Sequence, residues 1–207
     1  MRYFFKAYFC DPSSDYFLLA ARCHRVLHGF QCRHDLRIIG VTYPQWSEYS
    51  VGKCIGFICQ DDRILNQFST QPFFHRMHQI NKLNYSSVQK VQDGFPEGQF
   101  IRIQNPDKFS IVWIERENRR RAKRGLEPFQ SVPRSRSIPH HHSLDVNIFQ
   151  DKLSAGSGYR PDISTGKRKR FNLHIHRECI SSQQSGQFSS YGLSGAFNTG
   201  TVPLLTS

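Results

Sequence analysis

The sequence contains no long apolar run. A helix that spans a membrane needs about 20 consecutive, mostly apolar residues, and no stretch of the 207 residues comes near that length. The first segment, MRYFFKAYFCDPSSD, has a short apolar part and becomes charged too early for a secretory signal peptide. We therefore expect a protein without a membrane span or an export signal, located in the cytoplasm.

Several enzyme motifs are also missing. None of the six cysteines belongs to a C-x-x-C pair, and no zinc-finger spacing of cysteine and histidine occurs. The sequence has neither a GKS/T phosphate loop nor the paired carboxylates of a two-metal nuclease. We therefore expect reduced cysteines, no metal ion, no cofactor and no small-molecule substrate.

Acidic residues are scarce beside basic ones. The chain has 28 Lys and Arg against 16 Asp and Glu, for a formal net charge of +12. Residues 102–177 hold 17 of the basic residues and 7 of the acidic ones, whereas residues 1–101 hold 11 and 8. An excess concentrated in this way predicts a polyanionic partner. A membrane surface is the weaker candidate because the basic segment lacks a broad apolar face, so we favour nucleic acid, and RNA in particular.

The densest basic segment is ERENRRRAKRG at residues 115–125, within a predicted helix at about 106–124. Asn105 is a candidate cap, Pro106 occupies the first helical position, and Gly125 follows the last turn. At 100° per residue, most of the basic side chains fall within an arc of roughly 140°. These side chains are Arg116, Arg119, Arg120, Lys123 and Arg124.

The opposite side of this helix carries Ile111, Ala122 and Leu126, which we expect to hold it against a core. A solvated helix usually mixes charges of both signs, so the basic stripe favours nucleic-acid binding. Just upstream, Arg102 and Gln104 fall on one face of an extended segment. Arginine suits guanine and glutamine suits adenine, so this pair is a candidate for reading bases.

Hydrophobic periodicity predicts an α+β fold with two domains. Residues 1–95 show the order strand, helix, strand, strand, helix, strand of a ferredoxin-like (RRM-like) domain. Residues 96–207 are expected to form a smaller α/β domain with the arginine-rich helix and a glycine-rich carboxyl-terminal strand or loop. The elements predicted in the first domain are a strand at 2–10, a helix from 16 to 28 that Gly29 stops, a hairpin at 36–60, a helix at 61–70 and one or two strands within 73–92.

Histidine is the residue type that metal-free RNA cleavage needs, because the RNA 2′-hydroxyl attacks the adjacent phosphate when a histidine takes its proton. His28 lies at the predicted end of the first helix, where the helix dipole favours its charged form, and His24 lies one turn earlier. The alternatives are two polar-face histidines or an i,i+4 zinc pair, for which no third ligand is evident. The HHHS run at residues 140–143 is a second candidate, with a plain loop as the alternative.

Several motifs together resemble a known family. They are AARCHRVLHGF, IGVTYP, IRIQNPDK with the basic helix, HHSL, and RFNLHI followed by SSYGLS. With them the chain resembles the CRISPR repeat-processing endoribonucleases of type I-F systems. It is most similar to their transposon-encoded branch, which serves RNA-guided transposition. The resemblance runs along most of the chain and is thin over residues 127–137 and 144–166.

The resemblance implies an activity and a set of partners. Such enzymes bind the stem-loop of the CRISPR repeat and cut precursor CRISPR RNA (crRNA) at the 3′ base of the hairpin. They use no metal and leave a 2′,3′-cyclic phosphate and a 5′-hydroxyl. They then stay on the hairpin as a subunit of the Cascade complex, beside its backbone subunits, and in the transposon branch the adaptor TniQ is a further partner. Two rival interpretations are a non-catalytic cap on the hairpin and a DNA-binding accessory factor for transposition.

The resemblance also implies roles for residues of the cleavage site. His28 corresponds to the base that deprotonates the 2′-hydroxyl, Ser143 to the hydroxyl that positions the ribose, and Tyr191 to the tyrosine beside that histidine. Relatives often carry a second serine where this chain has Asp145, and Ser164 is a candidate to supply it.

Further residues correspond to the RNA-binding surface. Arg102 and Gln104 match the pair that reads bases at the foot of the stem, and Phe171 matches the aromatic that packs on the terminal base pair. The basic helix corresponds to the helix that enters the groove. His142, where some relatives carry arginine, is a further candidate for catalysis.

Overall fold

The computed structural model describes residues 1–12, 14–103, 111–128, 141–146, 172–195 and 198–206. Over these residues the chain is a mixed α+β protein with two sheets of antiparallel strand pairs, as the sequence predicts. The elements up to residue 90 are β1 (Tyr3–Phe9), α1 (Tyr16–Arg33), β2 (Gly40–Thr42), β3 (Cys54–Cys59), α2 (Asp62–Ser69), α3 (Pro72–Gln79), β4 (Leu83–Tyr85) and β5 (Gln89–Lys90). The later elements are β6 (Glu97–Ile103), α4 (Ile111–Ala122), β7 (His141–Asp145), β8 (Asn172–Ile180) and β9 (Val202–Pro203).

β1 lies at the centre of the first sheet, whose strand order is β2-β3-β1-β4 with β5 also beside β1. β2 and β3 form the predicted hairpin, and their register pairs Val41 with Phe57. The ring of Phe57 stacks on that of Phe5 in β1 at 4.9 Å between centroids. Phe68 of α2 and Phe74 of α3 meet the Phe57 ring nearly edge-on. These aromatic rings, all fully buried, hold the two short helices against the sheet.

α1 is longer than the sequence predicts. It is capped by Asp15, whose carboxylate accepts the Leu18 N–H at 3.1 Å, and it continues through Gly29 to Arg33. A Cβ at Gly29 would meet nothing within 4 Å, so this residue lies on the outer side of the helix. Phe30 is buried and extends the apolar stripe by another turn. The prediction that Gly29 ends the helix is therefore wrong, because the packing of Phe30 outweighs the low helix propensity of glycine.

Residues 72–79 also differ from the prediction. The sequence analysis places one or two strands within 73–92, whereas the structure has α3 first and only then β4 and β5. Pro72 stands at the start of α3, where its missing N–H costs nothing. Phe74 and Met77 are spaced by three residues and both are buried. This short helical periodicity, rather than strand alternation, decides the structure of the segment.

The second sheet has the strand order β7-β8-β6-β9. Its inner face is apolar and buried, with Phe100, Leu144, Leu173 and Ile175. Phe100 packs edge-on against Trp46, which follows the first sheet's β2. The residues of both sheets therefore belong to one continuous hydrophobic core.

α4 is the arginine-rich helix, and Gly125 follows it with φ of +65°, a left-handed conformation that suits a helix stop. Ala122 and Leu126 are exposed, Leu126 by 51%. The prediction that these two side chains hold the helix against a core is therefore wrong.

Among the helices of the described ranges, none combines the length and the apolar character that a membrane crossing requires.

Candidate functional site

α1 presents three polar side chains to the segment at residues 188–194. They lie at successive helical spacings on one face and are His24, His28 and Gln31. Gln31 is completely buried. Its amide nitrogen donates to the carbonyls of Ser189 and Ser190, both at 3.2 Å, and its amide oxygen accepts the Ile39 N–H. This residue therefore ties the segment to α1 and to the chain leading into β2.

His24 is completely buried and fixes the position of Tyr191. Its Nδ1 lies 2.7 Å from the Tyr191 carbonyl oxygen, and its Nε2 lies 2.5 Å from the Tyr43 hydroxyl. Because a carbonyl oxygen only accepts, Nδ1 carries the proton and Nε2 accepts the Tyr43 O–H. Burial lowers the pKa of His24 to about 4, and the hydrogen bond to Tyr191 opposes that shift. His24 is thus a neutral core residue and not the polar-face histidine considered from the sequence, and both of its nitrogens are occupied.

Gly192 lets the segment pass close to the core. Its φ is +76°, and its carbonyl accepts the Val41 N–H at 2.9 Å. A Cβ at this position would lie 2.6 Å from Leu27 Cδ2 and 2.7 Å from Val41 Cγ2. Only glycine combines this backbone conformation with so close an approach. The glycine of the YGLS motif therefore determines how near the preceding tyrosine comes to α1.

His28 lies directly against Tyr191. The two rings are parallel, with 4.3 Å between centroids and 4° between planes. The guanidinium carbon of Arg102 lies 5.6 Å from the centre of the Tyr191 ring, within the range of a cation–π contact. His28 Nδ1 also lies 2.8 Å from Ser190 Oγ. The structure therefore brings together three residues predicted from distant parts of the chain, which we call the His28–Tyr191–Arg102 group.

The pKa of His28 lies below its ordinary value of 6.5. Burial is the largest cause, and the positive charges of Arg37 and Arg102 lower this pKa further. The sequence predicts the opposite, since it places His28 at a helix end where the dipole favours the imidazolium. α1 continues to Arg33, so His28 lies more than a turn before that end and the dipole's influence is lost. The neutral ring, which is the form that a general base needs, is favoured at neutral pH.

Ser143 and His142 lie on opposite faces of the second sheet. Ser143 is exposed and pairs with His174, whereas Arg102 and His142 both pair with Ile175 and share the inner face. Directly paired residues point to the same side of a sheet, so the structure places Ser143 on the face away from Arg102. No hydrogen bond joins Ser143 to His28, two residues that both lie in described ranges.

His142 is a core residue. It is buried, its Nε2 donates to the Ser47 carbonyl at 2.9 Å, and its ring meets Trp46 edge-on at 4.4 Å. Phe17 of α1 packs against the same ring. His142 therefore joins the second sheet to the first, and this placement gives it a structural part in the fold. Asp145 is exposed at the end of β7, opposite Asn172.

Besides the predicted helix start at Asn105 and Pro106, three of the predicted site residues lie outside the described residues. They are Gln104, Phe171 and Ser164. Arg102 is the second-last residue of β6, and its backbone N–H donates to the Ser194 carbonyl at 2.9 Å. Its place beside Tyr191 is thus fixed from the backbone as well as by its side chain.

α4 and the turn after it present an exposed basic face. Four of the predicted side chains, Arg116, Arg119, Arg120 and Lys123, line one depression of about 390 Å³. Arg124, the fifth predicted residue, is exposed in the following turn. Only one ion pair is formed along this face within the described part of the helix, between Arg120 and Glu117 at 3.7 Å. Most of this positive charge is therefore available to an anionic partner.

Two residues near His28 were not identified from the sequence. Ser190 contacts its ring directly, and Arg37 adds positive charge nearby. Ser190 adjoins Tyr191 in the SSYGLS motif, so a search for hydroxyl groups beside the predicted site would have found it. Arg37 has no comparable signal, because only the fold brings the loop after α1 to this place. Over the described ranges, no group of three or more His, Cys, Asp or Glu side chains is arranged to hold a metal ion.

Comparison with known proteins gives a family match over nearly the whole chain. A family model described as "CRISPR-associated protein (Cas_Csy4)" matches residues 11–205. A solved structure described as "CRISPR associated protein Cas6" is similar at 9% sequence identity, with 98% of each chain covered and a TM-score of 0.31, a likeness too weak to define the fold. No curated protein matches the chain. Since the family model spans nearly the whole chain, this protein belongs to the Cas_Csy4 family of CRISPR-associated proteins, whose members are endoribonucleases that process crRNA.

Proposed function

We propose that the protein is a metal-independent endoribonuclease that binds the stem-loop of the CRISPR repeat and cuts once at its 3′ base. The observation that carries this proposal is the His28–Tyr191–Arg102 group. It holds a half-buried histidine with a lowered pKa against an aromatic ring and beside two cations. A neutral imidazole next to positive charge is the arrangement that 2′-hydroxyl attack on a phosphate requires.

In the proposed reaction, His28 takes the proton of the 2′-hydroxyl at the cleavage position. The 2′-oxygen forms a bond to the adjacent phosphorus as the bond from phosphorus to the 5′-oxygen breaks. The 5′-oxygen leaves with a proton from water, so the products are a 2′,3′-cyclic phosphate and a 5′-hydroxyl. Arg37 and Arg102 are each close enough to His28 to lower its pKa, and their positive charge would oppose the negative charge that grows on the phosphate. Tyr191 limits the ring positions open to His28, which reduces the entropy lost on reaching the reactive geometry.

The basic face of α4 is the proposed contact with the hairpin. Its exposed arginines and lysine stand at helical spacing along one side, and arginine forms forked hydrogen bonds to phosphate and to guanine. A-form RNA has a deep, narrow major groove that side chains rarely read, so we place α4 where a short hairpin opens at its end. Arg102 and Gln104 would then read bases at the foot of the stem, and Phe171 would pack on the terminal base pair.

The role of Ser143 in positioning the ribose is a separate part of the proposal. β7 is the edge strand of the second sheet and Ser143 is exposed on its outer face, so RNA that passes along this edge would meet the Ser143 hydroxyl. Ser143→Ala should slow cleavage by at least about tenfold if the hydroxyl contacts the ribose. An unchanged cleavage rate in this variant would remove Ser143 from the proposed site without affecting the assignment of His28.

The wider assignment follows from the sequence motifs and is likewise proposed. We propose that the first sheet and its helices are a ferredoxin-like domain at residues 1–95, a view that its strand order supports, and that residues 96–207 form the RNA-binding domain. We further propose that the protein stays on the crRNA hairpin as a subunit of a type I-F Cascade complex, in contact with its backbone subunits. In a system that serves RNA-guided transposition, TniQ would be an additional partner.

A hairpin that carries a single 2′-deoxy nucleotide at the cleavage position tests the reaction. The proposal predicts that this hairpin binds as tightly as the all-RNA hairpin and is not cut, because the attacking hydroxyl is missing. Cleavage of the deoxy hairpin would exclude 2′-hydroxyl attack. Binding of both hairpins without any cleavage would favour the non-catalytic cap, and preference for duplex DNA over the hairpin would favour the DNA-binding factor.

A further inference from the structure

We infer that Ser190 is a positioning residue for His28. Its hydroxyl oxygen accepts a hydrogen bond from the Nδ1–H of His28, which leaves Nε2 as the nitrogen that takes up a proton. This inference rests on the proposed function, because it names the group that orients the proposed base. Ser190 Oγ lies 2.8 Å from His28 Nδ1, an ordinary hydrogen-bond length. The orientation of a catalytic histidine by a second group at its other nitrogen is a general feature of such bases.

The position of Ser190 is fixed independently of its hydroxyl. Its carbonyl accepts a hydrogen bond from the buried Gln31 amide, as does the carbonyl of Ser189. On the other side, the Tyr191 carbonyl accepts the Nδ1 proton of His24. Because the backbone on both sides of Ser190 is anchored to α1, its side chain stays within reach of His28 in the absence of RNA. Removal of the hydroxyl should therefore leave the segment in place.

The direction of the hydrogen bond follows from what the reaction requires. A histidine that takes a proton through Nε2 must carry its ring proton on Nδ1 while it is neutral. The Ser190 hydroxyl oxygen accepts a hydrogen bond from Nδ1–H both when the ring is neutral and when it is an imidazolium. This stabilising contact therefore persists through the proton transfer to Nε2. The reverse direction, in which Ser190 donates to Nδ1, would place the ring proton on Nε2 and leave no nitrogen for the substrate.

The other groups around the ring do not compete with this contact. Cys32, one turn further along α1, places its Sγ 3.6 Å from Nδ1 and 3.9 Å from Nε2, and a thiol is a weak hydrogen-bond partner. Tyr191 covers a ring face rather than a ring nitrogen. Arg37 and Arg102 act through their charge, and both disfavour the imidazolium. Within the described part of the chain, Ser190 is thus the oxygen partner of the His28 ring.

The ring tautomer of His28 tests the inference without any need for activity. In ¹⁵N-labelled protein at a pH above the pKa of His28, ring ¹⁵N–¹H correlations report which nitrogen carries the proton, and His28→Ala assigns the signals. We expect the Nδ1–H form in the wild type, a loss of that preference in Ser190→Ala, and its retention in Ser190→Thr, which keeps a hydroxyl. A predominant Nε2–H form in the wild type, or a tautomer that Ser190→Ala leaves unchanged, would overturn the inference.

Hairpin cleavage tests whether the contact matters for the reaction. We expect Ser190→Ala to slow single-turnover cleavage by at least about tenfold, with hairpin affinity unchanged and Ser190→Thr restoring most of the rate. Loss of an acceptor for the imidazolium should also move the acidic limb of the pH–rate profile to lower pH. Ser182→Ala, at an exposed serine of the same carboxyl-terminal region, is the matched control and should change neither the rate nor the profile.

The outcomes separate this inference from the proposed function. Wild-type protein that cuts the hairpin, together with an equally fast Ser190→Ala variant, overturns the role of Ser190 and leaves the nuclease assignment intact. Wild-type protein that does not cut overturns the proposed function, and the tautomer measurement still decides whether Ser190 orients the ring. A slower Ser190→Ala variant whose pH profile and tautomer match the wild type would mean a structural effect, and it would also overturn the inference.

Discussion

The buried histidine of α1 makes the stability of the fold depend on pH in a way that can be calculated. His24 has a pKa of about 4 in the folded protein and an ordinary pKa of about 6.5 when the chain is unfolded. The unfolded chain therefore binds more protons between these two values. Stability therefore falls as the pH falls: the contribution of His24 to the free energy of unfolding is fully present above pH 6.5 and is lost as the pH falls towards 4.

The size of the effect follows from the same two pKa values. Between pH 7.5 and pH 5 the contribution of His24 to the free energy of unfolding should fall by about 2 kcal/mol. His24→Gln is the informative substitution, because its amide can donate to the Tyr191 carbonyl and accept from the Tyr43 hydroxyl without titrating. The variant should be less stable than the wild type at pH 7.5, since glutamine only approximates the imidazole geometry. It should nevertheless lose about 2 kcal/mol less between the two pH values.

Urea unfolding followed by circular dichroism, at both pH values for both proteins, measures this difference. All other titrating groups are common to the two proteins, so they cancel in the comparison. Equal losses of stability in wild type and His24→Gln would refute the reasoning, because they would mean that His24 does not stay neutral and buried when the protein is folded.

Three further predictions concern the basic face of α4, the close approach at Gly192 and the proposed base. Replacement of both Arg116 and Arg120 by Gln should weaken hairpin binding and reduce the slope of log affinity against log salt by roughly one to two units, as measured by filter binding. Gly192→Ala should cost about 2–4 kcal/mol in urea unfolding, since it adds backbone strain and overpacks the core, whereas Gly29→Ala should add about 0.5–1 kcal/mol. The single-turnover cleavage rate should rise with pH and reach half its maximum below pH 6.5, because the neutral form of His28 is active and its pKa is lowered.

Each of these predictions has a control and a contrary result. Arg63 and Arg76 are exposed on α2 and α3, and their joint replacement by Gln removes the same charge from two other helices. An equal loss of salt dependence in that variant would argue against a specific basic face. Equal stability effects at the two glycines would contradict the close approach at Gly192. If the chemical step limits the rate, a cleavage rate that does not change between pH 5 and pH 8 would exclude a titrating histidine as the base.

Much of the fold could be predicted from the sequence because its local signals agree. The first strand, the hairpin and α2 were all indicated by alternation, turn residues and an acidic cap, and the structure confirms them. The failures occurred where tertiary packing outweighs local propensity. Gly29 is a plausible helix stop until Phe30 is known to be buried, and the exposed Ala122 shows that an apolar face need not meet a core.

The candidate site, like the fold, can be predicted from the sequence only in part. His28, Tyr191 and Arg102 were named from motifs, and the structure brings them into contact. The sequence could not place Ser190 or the direction of the His28 pKa shift, because both depend on which residues surround the ring. Burial and the charges of Arg37 and Arg102, which the fold brings close to His28, lower that pKa. Neither cause is visible in the local pattern around "LHG". Periodicity likewise does not show which face of β7 lies inward, and this is why the positions of His142 and Ser143 follow only from the strand register.

Cleavage of a labelled repeat hairpin by wild type and His28→Ala, with EDTA present throughout, tests the central claim most directly. The account predicts that the wild type cuts once at the 3′ base and leaves a 2′,3′-cyclic phosphate, while His28→Ala binds the hairpin with the same affinity and cuts at least about a hundredfold more slowly. Undiminished cleavage by His28→Ala, or wild-type cleavage that EDTA abolishes, would contradict it.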